Sequence, residues 1–281
     1  MYKILYNKQI SPDSYEMLIE APTVVKKAVP GQFVIVMTKE DSERIPLTIY
    51  DYDKEKGLLW LIYQVIGAST EELSLAKDEI FSVVGPLGNA NEICANPKEY
   101  KDKRICYVAG GVGIAPVYPQ VKFLYENGFD VDVIYGSRSE NLLLIKDKIE
   151  NVAHNIIYTT DDGSYGRCGF VTNVLEENID RYDIVVAIGP IIMMKNVSEL
   201  TKKHSVKTIV SMNPLMVDGS GMCGACRCEV DGKPKFACIH GPEFDGHKID
   251  FDLAIKRMKI YKKEEKDKWN QMKEMLKKDE S

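Results

Sequence analysis

The stretch Tyr107–Pro116 reads YVAGGVGIAP: an apolar run that starts at Ile105 meets glycines at 110, 111 and 113 and passes into a segment, Pro116 to Asn127, with helical spacing. A buried strand that turns through glycines into a helix is the repeating unit of a parallel sheet wound with helices. Outward from it, Val131–Tyr135, Asn155–Tyr158, Ile184–Ile188 and Thr208–Ser211 are further short apolar runs with helical stretches between them. The expectation is a doubly wound parallel-sheet α/β domain over residues 99–213. Glycines let a pyrophosphate approach the backbone, and the helix that follows offers free N–H groups and a partial positive charge. The spacing is not GxGxxG, so a purely structural turn and a nucleotide site both remain open for this segment alone. Two later strand ends add weight, Tyr135-Gly136-Ser137-Arg138 and Ile188-Gly189-Pro190, because ligands of open α/β sheets bind at the carboxyl ends of strands. The run Thr159 to Gly163, with Asp161 inside it, ends another strand the same way, although Asp-Gly also favours a plain polar turn.

Upstream, residues 1–98 show short alternating segments, Glu16–Glu20, Phe33–Met37 and Leu58–Val65, broken by turn signals at Pro30-Gly31, Lys56-Gly57 and Gly85-Pro86. Period-two alternation of this kind reads as an antiparallel β-barrel or sandwich. Within it, the run from Arg44 through Ile45, Pro46 and Leu47 to Thr48 offers a cation, a fixed bend and a hydroxyl. The run from Tyr63 through Gln64 and Val65 to Ser69 and Thr70 ends a strand with a glycine and two hydroxyls. By themselves both read as strand edges and polar rim.

Downstream, residues 218–238 read DGSGMCGACRCEVDGKPKFAC, an aspartate and three cysteines in a Gly-rich loop with a fourth cysteine shortly after. Thiolates this close cannot all form disulfides without strain, so the loop reads as a metal site. Three ligand sets fit. Asp218, Cys223, Cys226 and Cys238 resemble the C-x4-C-x2-C spacing of plant-type 2Fe–2S ferredoxins, with aspartate in the first place and Cys228 left over. Cys223, Cys226, Cys228 and Cys238 keep four thiolates in a tighter arrangement. Cys223, Cys226, Cys238 and His240 would suit structural zinc. Beyond residue 252 the chain is dense in Lys and Glu around Met258, Trp269, Met272 and Leu276, which reads as one amphipathic helix with a solvated charged face.

With 281 residues the chain has room for about two or three compact units. Hydrophobic residues at 44%, charged residues at 28% and a net charge of −5 describe a globular protein with no reason to bind nucleic acid. Met1–Ile10 lacks the apolar core of a signal peptide, and no run approaches the roughly 20 apolar residues of a membrane span, so neither export nor a membrane is expected. Seven cysteines, with Cys94, Cys106 and Cys168 scattered, fit a reducing, cytoplasmic setting.

Taken together, RIPLT (44–48), YQVIGAST (63–70), GPLGN (85–89), GGVGIAP (110–116), GSR (136–138), GP (189–190) with MMK (193–195), and the cysteine loop resemble the ferredoxin-reductase-like electron-transfer flavoproteins over residues 1 to about 250. The resemblance implies an FAD-binding barrel at 1–98, an NAD(P)-binding domain at 99–213, a 2Fe–2S domain at 214–250 and a charged C-terminal helix at 251–281. It implies that Arg44 meets the flavin pyrophosphate and that Thr48 lies near the isoalloxazine ring as the flavin-adjacent catalytic candidate. Pro46, Leu47, Tyr63, Gln64, Val65, Ser69 and Thr70 would line the rest. Gly110, Gly111, Val112 and Gly113 would hold the nicotinamide nucleotide's pyrophosphate side, with Gly136, Ser137, Arg138, Asp161, Gly189 and Pro190 near its other parts. Asp218, Cys223, Cys226 and Cys238 would hold the cluster.

Two kinds of member are most similar. The electron-transfer subunit of type B dihydroorotate dehydrogenase has cysteine where Asp218 stands. The small subunit of the electron-bifurcating NADH-dependent ferredoxin:NADP oxidoreductase has aspartate there. Asp218 and the charged tail point to the second. The function implied is exchange of hydride with NAD(H) and passage of single electrons, by way of FAD and the cluster, to a larger flavin- and iron–sulfur-bearing partner subunit and through it to ferredoxin. NAD over NADP rests on the resemblance, since Arg138 is able to pair with a 2′-phosphate. The alternatives are the dihydroorotate-linked subunit and, from another class, a zinc-containing nucleotide-binding regulator.

Overall fold

Residues 1–279 are described by the structure, a computed structural model. The first seven strands are β1 (Tyr2–Ser11), β2 (Ser14–Glu20), β3 (Phe33–Met37), β4 (Ile45–Asp53), β5 (Leu58–Gln64), β6 (Glu79–Ile80) and β7 (Ser82–Leu87). They form one antiparallel sheet in the order β6-β1-β2-β5-β4-β3-β7. Its two edge strands, β6 and β7, are separated by the single residue Phe81. The sheet therefore curls until its two ends come together, which decides for a barrel over a sandwich, although β7 pairs only with β3 and β1 meets β6 at Tyr2 and Lys3 alone. Alternation fills the interior: Val34 and Val36, Ile45, Leu47 and Ile49, and Leu59, Leu61 and Tyr63 form one buried cluster with Met17 and Ile19.

The second sheet contains β8 (Ile105–Gly110), β9 (Val131–Ser137), β10 (Asn155–Thr160), β11 (Arg167–Cys168), β12 (Ile184–Ile188) and β13 (Lys207–Ser211). Past the β14 (Arg227–Val230) and β15 (Lys233–Phe236) hairpin, β16 (Glu243–Asp245) completes it, and the order is β11-β10-β9-β8-β12-β13-β16. All neighbours are parallel except β13 and β16. Helices Ile114–Glu126 and Lys146–Glu150 cover one face, and helices Val171–Asn178 and Ile191–Lys203 the other. This is the expected doubly wound sheet, with its switch point between β8 and β12.

Two expectations about the C-terminal third change. Strand β16 lies within the segment read as a separate iron–sulfur unit, yet it pairs Ile209 with Asp245 and Ser211 with Glu243, so it forms the edge of the α/β sheet. The tail is two helices, not one. The first, Phe251–Arg257, is capped by Asp250, whose carboxylate accepts from Leu253 N, and it buries Phe251 and Ala254 against the α/β sheet. The second, Lys262–Asp279, lies against helix Ala68–Ser74 of the barrel.

The three parts are tied at Glu243. Its carboxylate accepts from Asn91 Nδ2 at 2.6 Å, in the segment after the barrel, and from Gln120 Nε2 at 2.7 Å, on the helix after β8. Asn91 is fully buried and also caps helix Glu92–Ala95. Although Glu243 keeps some exposure, the protein crowding its carboxylate pushes its pKa up to about 7, against the pull of the two amides. A carboxylate whose folded pKa lies above its unfolded value holds a proton that the unfolded chain releases. Its stability contribution is complete below the unfolded pKa and is lost as pH rises through about 7. Between pH 5 and 8 the wild type should lose on the order of 1 kcal/mol from this group, allowing for its partial exposure. The melting temperature of Glu243→Gln, measured over the same range, should fall less steeply.

Candidate functional site

The carboxyl ends of β8, β9 and β12 lie side by side, and each has a glycine at or next to its last residue. Gly110 pairs with Gly136 across β8 and β9, and Gly189 follows β12. A Cβ built on Gly110 would lie 2.5 Å from Met193 Sδ and 2.9 Å from Pro190 Cδ. One built on Gly113 would collide with the Ile188 carbonyl oxygen, and one on Gly136 would lie 2.5 Å from Val171 Cγ1. These glycines are required by close packing of the loops. Gly111 differs: its φ is +54° and a Cβ there would meet nothing within 4 Å. Its backbone faces open space at the start of helix Ile114–Glu126, where a phosphate would be accepted. Val112 packs on the core beside it.

The remaining residues assigned to the nucleotide lie around this edge. Ser137 Oγ donates to the Ser139 carbonyl at 2.7 Å, and Asp161 N donates to the Ser137 carbonyl at 3.1 Å. Arg138 Nη2 is 3.6 Å from Asp13 Oδ2 in the β1–β2 turn, and the same carboxylate accepts from Gln64 Nε2 at 2.5 Å. Gln64 and Arg138, read from different domains, thus share Asp13 as a partner.

On the barrel, β3 and β4 pair Phe33 with Thr48 and Ile35 with Pro46. Directly paired residues share a face, so Pro46 and Thr48 lie outside the barrel with Phe33 and Ile35, while Leu47 points into its core. Tyr63 also points inward and its hydroxyl donates to Asn7 Oδ1 at 2.8 Å. Leu47 and Tyr63 therefore keep only their backbones for a ligand. Val65 packs against the same core. Thr70 Oγ1 accepts from Ile66 N at 3.0 Å and Gly67 N at 3.2 Å, which shapes the turn, and Ser69 Oγ donates to Glu43. Farther along the outer face, Tyr50 stacks at a tilt on Tyr118, with ring centroids 5.3 Å apart, and Lys122 Nζ lies 2.9 Å from Asp51 Oδ1. These contacts hold the barrel to helix Ile114–Glu126. Neither pairing has a sequence signature, because each joins residues about 70 positions apart.

The cysteine loop lies against the same outer face. Cys226 and Cys238, each 2% exposed, form a cluster with Phe33, Ile35, Met216 and Ala237. Their sulfurs are 3.1 Å apart, and burial, with the facing thiol, pushes Cys238 up. Asp218 and Cys223 make the exposed side. Asp218 Oδ1 accepts from Ser220 N at 2.7 Å and Oδ2 from Cys223 N at 2.8 Å. These N–H groups, Ser220 first, hold its carboxyl below the usual range. Each oxygen keeps a lone pair for a metal. Gly219, at φ +74°, brings the loop onto the barrel: a Cβ there would lie 2.5 Å from Leu87 Cδ1 and 2.8 Å from Ile35 Cδ1. Cys228 lies in the β14–β15 hairpin, where its thiol faces the Lys235 carbonyl at 3.7 Å. His240 Nδ1 accepts from Phe236 N at 3.0 Å. Two buried thiols facing each other beside a third thiol and a carboxylate fit the donor set of an iron–sulfur cluster. Among the described residues no group of three or more His, Cys, Asp or Glu side chains is gathered closely enough to hold a single metal ion.

A barrel, a wound sheet and a cysteine loop that meet along one barrel face define a flavin- and nicotinamide-dependent oxidoreductase with an iron–sulfur cluster. Residues 107–199 match the oxidoreductase NAD-binding domain, and residues 213–250 match the iron–sulfur cluster binding domain of dihydroorotate dehydrogenase B. The chain is 42% identical, over 94% of its length and 93% of the relative's, to a homolog of the dihydroorotate dehydrogenase B electron transfer subunit from Thermotoga maritima. It is 49% identical to an uncharacterised protein of Clostridium beijerinckii, over 94% of this chain and 92% of that one. Its structure is similar, with TM-score 0.89 and 40% identity over 96% of this chain and 97% of the other, to a chain of the NADH-dependent reduced ferredoxin-NADP oxidoreductase, a structure solved for flavin-based electron bifurcation. The chain belongs to this family of electron-transfer subunits, and FAD, an iron–sulfur cluster and NAD(H) are its cofactors.

The two roles of the glycines separate by experiment. Gly113→Ala should cost roughly 2–4 kcal/mol of stability by overpacking. Gly111→Ala meets no neighbour but places a side chain at φ +54°, so it should cost only about 1 kcal/mol of backbone strain and in addition weaken NADH binding, measured by titration of the reconstituted protein.

Proposed function

We propose that this chain is the small electron-transfer subunit of an electron-bifurcating NADH-dependent ferredoxin:NADP oxidoreductase. The observation that carries the reading is Asp218. Its carboxylate is fixed in the cluster loop by Ser220 and Cys223, at the place where the resemblance to the dihydroorotate-linked subunits implies a cysteine. Identity does not divide the two readings, at 40% to the chain from the ferredoxin-NADP enzyme, 42% to the dihydroorotate dehydrogenase B electron transfer subunit homolog of Thermotoga maritima and 33% to the electron transfer subunit of Caldanaerobacter subterraneus, so Asp218 carries the choice. The second reading, a dihydroorotate-linked subunit, draws support from the match of residues 213–250 to that enzyme's cluster domain.

In the proposed assignment Asp218, Cys223, Cys226 and Cys238 hold a 2Fe–2S cluster and Cys228 stays outside it. Phe33 and Ile35 seat this loop against β3. Thr48, opposite Phe33, faces the flavin ring and Arg44 its diphosphate; because Ser69 bonds to Glu43 beside Arg44, Ser69 and Thr70 are now assigned to the diphosphate as well. The Gly110–Gly113 turn takes the nicotinamide nucleotide, with Gly136–Arg138, Asp161, Gly189 and Pro190 around it. Bound flavin takes electrons in pairs from nicotinamide and releases them singly, which is what joins the two flanking sites. The relatives are named electron-transfer subunits, so the chain works with a larger partner subunit, and ferredoxin reacts through that partner. All seven cysteines are free, which fits a cytoplasmic setting, and no described helix is long and apolar enough to cross a membrane.

Asp218→Ala should lower iron content and visible cluster absorbance by most of their value, whereas Cys228→Ser should leave both near wild type; the opposite pattern would overturn the ligand assignment. Co-purification with the partner followed by assay with NADH, NADPH, ferredoxin and dihydroorotate tests the function. Ferredoxin-dependent turnover is expected, and dihydroorotate oxidation in its place would establish the second reading.

A further inference from the structure

The second C-terminal helix, Lys262–Asp279, lies over the barrel rim that carries Arg44, Ser69 and Thr70, and its anchors are specific. Lys268 Nζ is 2.6 Å from Glu43 Oε1, and Trp269 Nε1 donates to Glu71 Oε2 at 3.2 Å. Lys273 covers the Trp269 ring at 3.8 Å from its centroid. Between the helix and the rim is a cavity of about 360 Å³, whose charged lining is Lys39, Asp41, Glu43, Glu72 and Lys268, with Lys39 Nζ paired to Glu72 Oε1 at 3.3 Å.

Charge gives the arrangement a purpose. Glu43 precedes Arg44 in the chain and accepts from Ser69 Oγ, so a carboxylate adjoins two residues assigned to the flavin diphosphate. Lys268, with Ser69, holds the Glu43 carboxyl below the usual range, so it is an anion at neutral pH. An anion beside a diphosphate repels it unless a cation stands close. The cation paired with Glu43 among the described residues comes from the tail, 225 positions away. Without Lys268, Arg44 would face its own neighbour's charge as well as the ligand's.

We propose that helix Lys262–Asp279 is a strap over the diphosphate end of FAD, and that Lys268 holds the flavin in place by neutralising Glu43. This rests on the assignment of Arg44, Ser69 and Thr70 to that diphosphate. The strap adds a charge pair to a dinucleotide site whose other walls come from the barrel.

The test uses full-length chains with the cluster in place and follows FAD release by the rise in free-flavin fluorescence after dilution. Lys268→Ala should release FAD roughly two- to fivefold faster, the scale of one exposed, screened charge pair. Adding Glu43→Gln to Lys268→Ala should restore a rate close to wild type, with iron content unchanged throughout. Arg44→Ala serves as the control for the site itself and should also speed release. If Arg44→Ala speeds release but Lys268→Ala does not, the strap is wrong and the diphosphate site stands. If Arg44→Ala has no effect, the site assignment fails and the strap falls with it. Faster release in Lys268→Ala that Glu43→Gln does not correct would overturn the charge mechanism.

Discussion

One face of the barrel organises the molecule. Because β3 and β4 pair Phe33 with Thr48 and Ile35 with Pro46, four side chains leave the barrel on the same side. Phe33 and Ile35 receive the buried thiols of the cysteine loop. Farther along, Tyr50 and Ile62 receive the α/β domain. Thr48, one of the residues read as flavin contacts, leaves β4 between the two. Burying side chains the size of Phe33 and Ile35 contributes roughly 1.5–3 kcal/mol each, more than a surface ion pair contributes, so apolar packing sets the relative placement of the sites.

At the other side of that junction the sheet's switch point is closed by the absence of side chains. Gly110, Gly113 and Gly189 let the loops after β8 and β12 touch backbone to backbone. The same contact leaves Gly111 as the open position. A Gly-rich turn of this kind serves two constraints at once, which is why its departure from GxGxxG does not weaken the site: the spacing follows the neighbouring strand end as much as the ligand.

The domains named from sequence are joined more closely than their order along the chain implies. Strand β16 belongs to the cluster segment by position and to the α/β sheet by hydrogen bonding. Glu243 on that strand is held by Asn91 and Gln120, so a single carboxylate bridges all three parts. The tail continues the pattern, with Phe251 and Ala254 in the α/β core and Lys268 and Trp269 on the barrel.

Much of this was legible in the chain alone. Apolar runs and turn residues located β3, β5, β8, β9 and β12 within a residue or two, since burial and backbone freedom are local in sequence. Motifs in order gave the family, and the cysteine spacing offered Asp218 as one of three candidate ligand sets, because residue type and spacing are covalent properties of the chain. What the sequence left open was decided by contacts between distant segments. Closure at Phe81 chose barrel over sandwich, and register turned Leu47 and Tyr63 inward. Gly113 is set by Ile188 rather than by a ligand. The single charged helix read beyond residue 252 became two because an apolar sheet face was available to Phe251. Composition carries no information on such pairings: each depends on which surfaces the rest of the fold brings within van der Waals reach, and only the tertiary structure supplies that.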